Sequence, residues 1–279
     1  MFVLRRHFIV LAGLLAPVIA SGASATTLGG KLIAHRAVYD LSLARADDSN
    51  SAPVGASGRI VYEFTGSACE GWSTNFRQVT QLQMSEGGDR VSDLRSASFE
   101  DADGASFQFK TDTLVNGRLI ESVDGSAKRS DDGGVSINLS KPSPSKVDFA
   151  AAAVFPTAQI LAIMEAAKAG HKTAAIKIFD GSDTGQKLFD TMTIIGKERE
   201  DAAKNPVAAE AESLRDTPRW PVSVSYFDPE KRDGPPNYIL GFDLYENGVS
   251  AALHIDYGSY ALTGKLTKFE KLPQKSCDK

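Results

Sequence analysis

Residues 105–125 read ASFQFKTDTLVNGRLIESVDG. Two runs of alternating character flank Asn116-Gly117. A period of two puts successive side chains on opposite faces of an extended strand. Asn-Gly supplies the positive-φ positions of a tight two-residue turn. The stretch is therefore a β-hairpin, and the reading repeats on both sides of it. AHRAVYDLSL (34–43), GRIVYEF (58–64), GWSTNFRQVTQLQM (71–84) and DRVSDLRSASFE (89–100) precede it, and GVSINLS (134–140) follows. Gly87-Gly88-Asp89, Asp103-Gly104 and Asp132-Gly133-Gly134 mark turns between them. The first half is an antiparallel meander.

FPTAQILAIMEAAKAG (155–170) breaks the period. Proline and threonine stand at a helix entry and Gly170 at its exit, which predicts a helix over 157–169. Ile160, Ile163, Met164 and Ala167 share one face, with Leu161 beside it. Such a face either packs into a core or lines a hydrophobic cavity. Ile160, Leu161, Ile163 and Met164 are therefore the candidate cavity-lining residues. Trp72 is a candidate for the rim, the alternative being that it packs over a cysteine bridge.

Strands resume with TAAIKIF (173–179) and LFDTMTII (188–195). Residues 197–219 are dense in charge and alanine and read as a charged loop or a solvated short helix. WPVSVSYF (220–227), NYILGFDLYENG (237–248), VSAALHIDYG (249–258) and YALTGKLTKFEK (260–271) close the chain. About thirteen strands and one helix define the fold class. It is mainly β, a single domain over 26–279 of many antiparallel strands, curled as an open barrel or β-spiral around one amphipathic helix.

The first residues read as a secretory signal over 1–25. Arg5 and Arg6 precede an apolar run from Phe8 to Ala20, and Ala23-Ser24-Ala25 offers a cleavage site. The run is shorter than the roughly 20 residues of a membrane span. RRHFIV also resembles a twin-arginine signal, so the export route stays open. In an exported chain the two cysteines, Cys69 and Cys277, are expected to pair; the alternative is two free thiols. Such a bridge would keep the outer turn of a spiral from unwinding at its loose edges. A net charge of −4 becomes −6 once the two signal arginines leave, which argues against nucleic-acid binding.

Catalytic patterns are absent. His35, His171 and His254 lie apart with no ligand spacing, and no HExxH, CxxC or GxSxG occurs. DADG and DGSDTG look like fragments of calcium loops without the terminal glutamate, and they read as β-turns. No catalytic residue, metal or cofactor is expected, and an enzyme has no positive support.

Six segments taken in order give a resemblance. AHRAVYDLSL, ACEGW, FPTAQILAIMEAAKAG, FDGSDTGQKLFDT, RWPVSVSYF and LYENGVSAALHIDYGSYALTGKL together resemble the EipB-type cell-envelope integrity proteins of Gram-negative bacteria, over about residues 32–277. The resemblance implies a periplasmic β-spiral wrapped around a helix and a disulfide between Cys69 and Cys277. It also implies a role in envelope integrity, an outline similar to periplasmic lipoprotein carriers, and no enzymatic activity. The expected function is thus non-enzymatic support of the envelope, by binding a lipid, lipoprotein or apolar peptide in the concave face of the sheet. The alternative is a structural scaffold that docks an envelope protein and holds no small ligand.

Overall fold

The structure is a computed structural model that describes residues 32–49, 52–199, 207, 211–231 and 234–277. The expected signal segment, 1–25, lies outside the described residues. Among the described residues, fourteen strands form one sheet and one α-helix accompanies them. The strands are β1 (His35–Ala46), β2 (Pro53–Ser67), β3 (Gly71–Met84), β4 (Arg90–Glu100), β5 (Ser106–Val115), β6 (Arg118–Arg129), β7 (Val135–Lys141) and β8 (Ser145–Phe149). Helix α1 (Pro156–Lys168) follows. Then come β9 (Thr173–Ile178), β10 (Phe189–Ile195), β11 (Arg219–Phe227), β12 (Tyr238–Tyr245), β13 (Ser250–Asp256) and β14 (Tyr260–Lys271). The strand that the sequence reading missed is β8. It has five residues in a proline- and serine-rich stretch, and its pairing with β7 defines it.

Sequence neighbours are sheet neighbours throughout, with one long-range join: β14 lies against β1, with His35 opposite Lys271 and Leu43 opposite Leu262. The first and last strands therefore sit in the middle of the sheet. Its edges are β8 and β9, which are consecutive in the chain and joined through α1. The edge strands do not zip into a barrel; the segment between β8 and α1 reaches the end of β9 instead. The Val154 N–H donates to the Lys177 carbonyl and the Phe179 N–H to the Val154 carbonyl, both at 3.0 Å. A long twisted sheet whose two edge strands do not pair with each other is an open spiral.

This placement corrects the expected role of the cysteine bridge. Cys69 and Cys277 are bonded, with Cα atoms 5.8 Å apart. The bond joins the β2–β3 turn to the segment after β14, near the middle of the sheet, so it holds neither edge. The span 197–219 also differs from expectation. Arg219 begins β11, and residues Glu212–Leu214 form a 3₁₀ turn. Val207, Ala211 and Leu214 are buried against Tyr39, Tyr245 and Val249. The apolar residues of a charged stretch thus plug one side of the core.

The helix matches its expected span to within a residue at each end. Pro156 starts it, and Gly170, at φ 76°, follows its C-terminal cap. Its N-cap residue, Phe155, offers no side-chain acceptor. Glu100, buried at the end of β4, takes that place, accepting from the Thr157 N–H at 2.7 Å and the Ala158 N–H at 3.2 Å. A carboxylate at a helix N-terminus satisfies orphan donors and meets the positive end of the dipole. Ile163, Met164 and Ala167 pack with Trp220, Val222, Val224 and Leu244. Phe107, Phe109, Phe155 and Phe179 form a second aromatic cluster beside the bridge between the edges.

Candidate functional site

The helix does not fill the concave face. Ile160, one turn before Ile163 and Met164, packs on the margin of their cluster and borders an open space. A cavity of about 470 Å³ opens there. β1 and β2 give it Tyr39, Ile60 and Tyr62, β3 gives Phe76, and β12 and β13 give Leu240, Phe242, Leu253 and Ile255. Tyr238 and Tyr257 complete an aromatic and aliphatic wall. A second chamber of about 250 Å³ continues it toward the helix N-terminus, past Leu32, Phe64, Phe107 and Pro156. Tyr62, Phe76, Ile160 and Gly248 line both, so the two are contiguous. The parity of the strands explains the lining. On β2 the inward positions are Ile60, Tyr62 and Phe64, while Val61 and Glu63 point to the other face.

The polar groups of the wall are few. Thr74, Ser96, Ser98 and Thr157 line the smaller chamber, and Gln78, Ser182 and Ser250 the larger. The Tyr39 hydroxyl donates to the Ser250 carbonyl at 2.6 Å. Burial pushes the Tyr62 hydroxyl up to about 12, against a hydrogen bond with Thr74, so it stays neutral and is no base near pH 7. Asp180 is the one carboxylate among the described lining residues. An apolar wall with sparse, spaced polar groups suits the binding of an apolar molecule more than bond-breaking chemistry. A groove on the outer face of β2–β5 is lined by charged residues such as Arg77, Arg95 and Lys110. Its charges are largely engaged with one another. Arg77 and Arg95 hold Asp93 down at about 2, and Arg36 pairs with Glu63.

Of the five residues proposed from sequence, Ile160 lines the cavity. Ile163 and Met164 are fully buried core, and Leu161 packs against the same cluster. Helical period explains this: a helix that docks one face on the sheet leaves only its first turn toward the space. Trp72 is buried and stacks on Phe64 with ring centroids 4.6 Å apart, behind the wall of the smaller chamber, and lines neither chamber itself. Sequence reasoning missed Asp180 and Ser182, which it took as part of a turn, and Leu32. His35 is enclosed by Tyr62, Phe64 and Phe269 and bonds the Ile33 carbonyl through Nδ1 at 2.8 Å, a structural role. No helix among the described residues is long and apolar enough to cross a membrane.

The fold and the site together define an open, barrel-like antiparallel sheet that wraps one helix and keeps an apolar cavity beside it. The profile of the EipB-like family matches residues 27–273, and the chain belongs to that family. It is 39% identical over 251 residues to the cell envelope integrity protein EipB of Brucella abortus strain 2308, covering 90% of this chain and 88% of that protein. A crystal structure of a β-barrel-like protein of a domain of unknown function from Brucella abortus superposes with a TM-score of 0.80 at 38% identity. That match covers 87% of this chain and 99% of the other.

Proposed function

We propose that this chain is a non-enzymatic periplasmic protein that supports cell-envelope integrity by holding a lipid, a lipoprotein acyl chain or an apolar peptide in its concave cavity. The carrying observation is the cavity of about 470 Å³ beside Ile160, which the helix leaves unfilled. Its volume lies in the usual range for small-ligand sites, roughly 300–1,000 Å³. Its wall is dominated by aromatic and aliphatic side chains. The envelope role rests on the relative named for it. The periplasmic compartment is supported by the envelope role named for that relative and by the signal-like pattern expected over 1–25.

Native mass spectrometry of protein taken gently from its own periplasm, with organic extraction, tests the reading. A discrete lipid or acylated-peptide adduct on the wild type, lost in Ile160→Gln, is the expected result. A clean apo mass, with partners only in cross-linked complexes, would instead support a scaffold without a ligand.

A further inference from the structure

We propose that the ligand's polar end is a cation, an ammonium group seated against Asp180 with the aromatic walls around it. This inference rests on the reading of the cavity as a ligand site. It begins with the loop FDGSDTGQKL, residues 179–188, between β9 and β10. Three of its residues, Gly181, Asp183 and Gly185, have φ of 73°, 53° and 70°. A Cβ at Gly181 would come within 2.6 Å of the Phe109 ring, and one at Gly185 within 2.6 Å of Val123. The loop is therefore pressed onto the inner face of β5 and β6 in a conformation that needs glycine. This contact carries Asp180 into the smaller chamber and Ser182 into the larger.

Asp180 sits there without a counter-charge on the wall. None of the described residues lining the two chambers is a lysine, arginine or histidine. The loop's own cation, Lys187, is engaged elsewhere, 3.1 Å from Asp228 and 3.2 Å from Asp183. Asp180 accepts the Ser182 N–H at 2.9 Å, a bond within its own loop. Burial pushes its carboxyl up, the Ser182 bonds oppose this, and the charge of Asp183 adds to the rise. Asp183 and Glu121 add negative charge next to the loop. Tyr226 and Tyr238, stacked at 4.4 Å, both feel the Asp180 charge. Asp180 is half-buried, and a carboxylate in a largely apolar wall keeps its charge best when it is paired. An ammonium would supply that pair, and the aromatic rings of the same chamber, Tyr62, Phe64 and Phe76, would add cation–π attraction. An anionic headgroup would meet repulsion at the same place.

The test compares three probes of one chain length, each below its micelle concentration: dodecylammonium, dodecanol and dodecanoate. Titration calorimetry on the wild-type chain at neutral pH should rank them in that order. Dodecylammonium should lose at least about tenfold in affinity in Asp180→Asn, because a charge-assisted contact is removed, while dodecanol stays unchanged. Asp180→Asn keeps the shape and the acceptor for Ser182, and an unchanged melting temperature verifies that it folds. Equal or tighter binding of dodecanoate in the wild type would overturn the inference, whatever the variant does. Equal loss of all three probes in the variant would overturn it too. Failure of every probe on the wild type would instead remove the cavity reading itself. Two sources offer this chemistry, a lipid headgroup amine and a peptide amino terminus. Lyso-phosphatidylethanolamine and an apolar peptide with a free amino terminus separate them. Asp180-dependent binding of either supports the inference and names the source, and binding of both without that dependence counts against it.

Discussion

Replacing Cys69 and Cys277 together by serine should cost the fold up to about 5 kcal/mol. The bond closes a loop over a sequence separation of 208. In the chain-entropy treatment a 100-residue loop contributes about 4.7 kcal/mol and each doubling about 0.6 more, so about 5 is the upper figure. The folded state loses little directly, because the tail keeps other ties. The Leu272 N–H donates to the Ala34 carbonyl at 2.9 Å, Gln274 bonds both Ala34 and Leu32, and Lys275 lies 2.6 Å from Glu70. The last of these is exposed and screened by solvent, so it adds little. Two mechanisms are thus separated by size. Loss of the cross-link acts on the unfolded chain and is large, whereas mere fraying of a tail is small. Guanidinium unfolding, followed by the fluorescence of Trp72 and Trp220, reads the difference. With a slope of roughly 5 kcal/mol per molar, the double variant should unfold about 1 M earlier than the oxidised chain. A midpoint shift of less than about 0.2 M at equal slope corresponds to about 1 kcal/mol and would refute the loop-closure reasoning.

Three further outcomes follow from buried polar groups. Asp243→Ala leaves the fully buried Arg219 without the carboxylate that lies 3.3 Å from its Nε, and should destabilise by about 3–5 kcal/mol in the same unfolding assay. Glu100→Ala removes the acceptor of two N–H groups at the start of α1. It should cost about 1–2 kcal/mol and speed hydrogen exchange at Thr157 and Ala158 before the rest of the sheet responds. Burial lowers the pKa of His35 below 6.5, with the Ile33 bond opposing, so the folded state binds fewer protons than the unfolded one. That contribution to stability is present above pH 6.5 and is lost as pH falls through 6.5 toward the folded value. Melting temperatures across this window should fall more steeply for the wild type than for His35→Gln, and parallel curves would count against the assignment.

Local patterns made most of the architecture legible. Alternation on β2 to β7 showed because each strand faces a core on one side only, and Asn116-Gly117, at φ 50° and 76°, carried its turn in two letters. The helix showed because its apolar spacing differs from that of its surroundings. Long-range facts were hidden. Nothing local to His35–Ala46 says that Tyr260–Lys271 will lie beside it, so the sheet's edges, and hence the place of the disulfide, were misjudged. Ile160 could be put on the right face of the helix, but its separation from Ile163 and Met164 depends on how the helix tilts against the sheet. Asp180 was hidden in a turn motif, because glycine contacts with Phe109 and Val123, which lie far away in sequence, decide where that turn points. Nothing local marks Arg219 and Asp243 as a buried pair; the pairing of β11 with β12 brings them together inside.

The central claim is that the space beside Ile160 is a ligand site and not a packing defect. Ile160→Trp tests it by filling that space with an indole while keeping an apolar helix face. The measurement is the affinity of the neutral apolar dye N-phenylnaphthylamine, with the melting temperature recorded on the same samples. The expected result is an unchanged or higher melting temperature together with binding weakened by at least about tenfold, since the dye and the indole compete for one volume of about 470 Å³. Undiminished binding in a folded Ile160→Trp protein would contradict it.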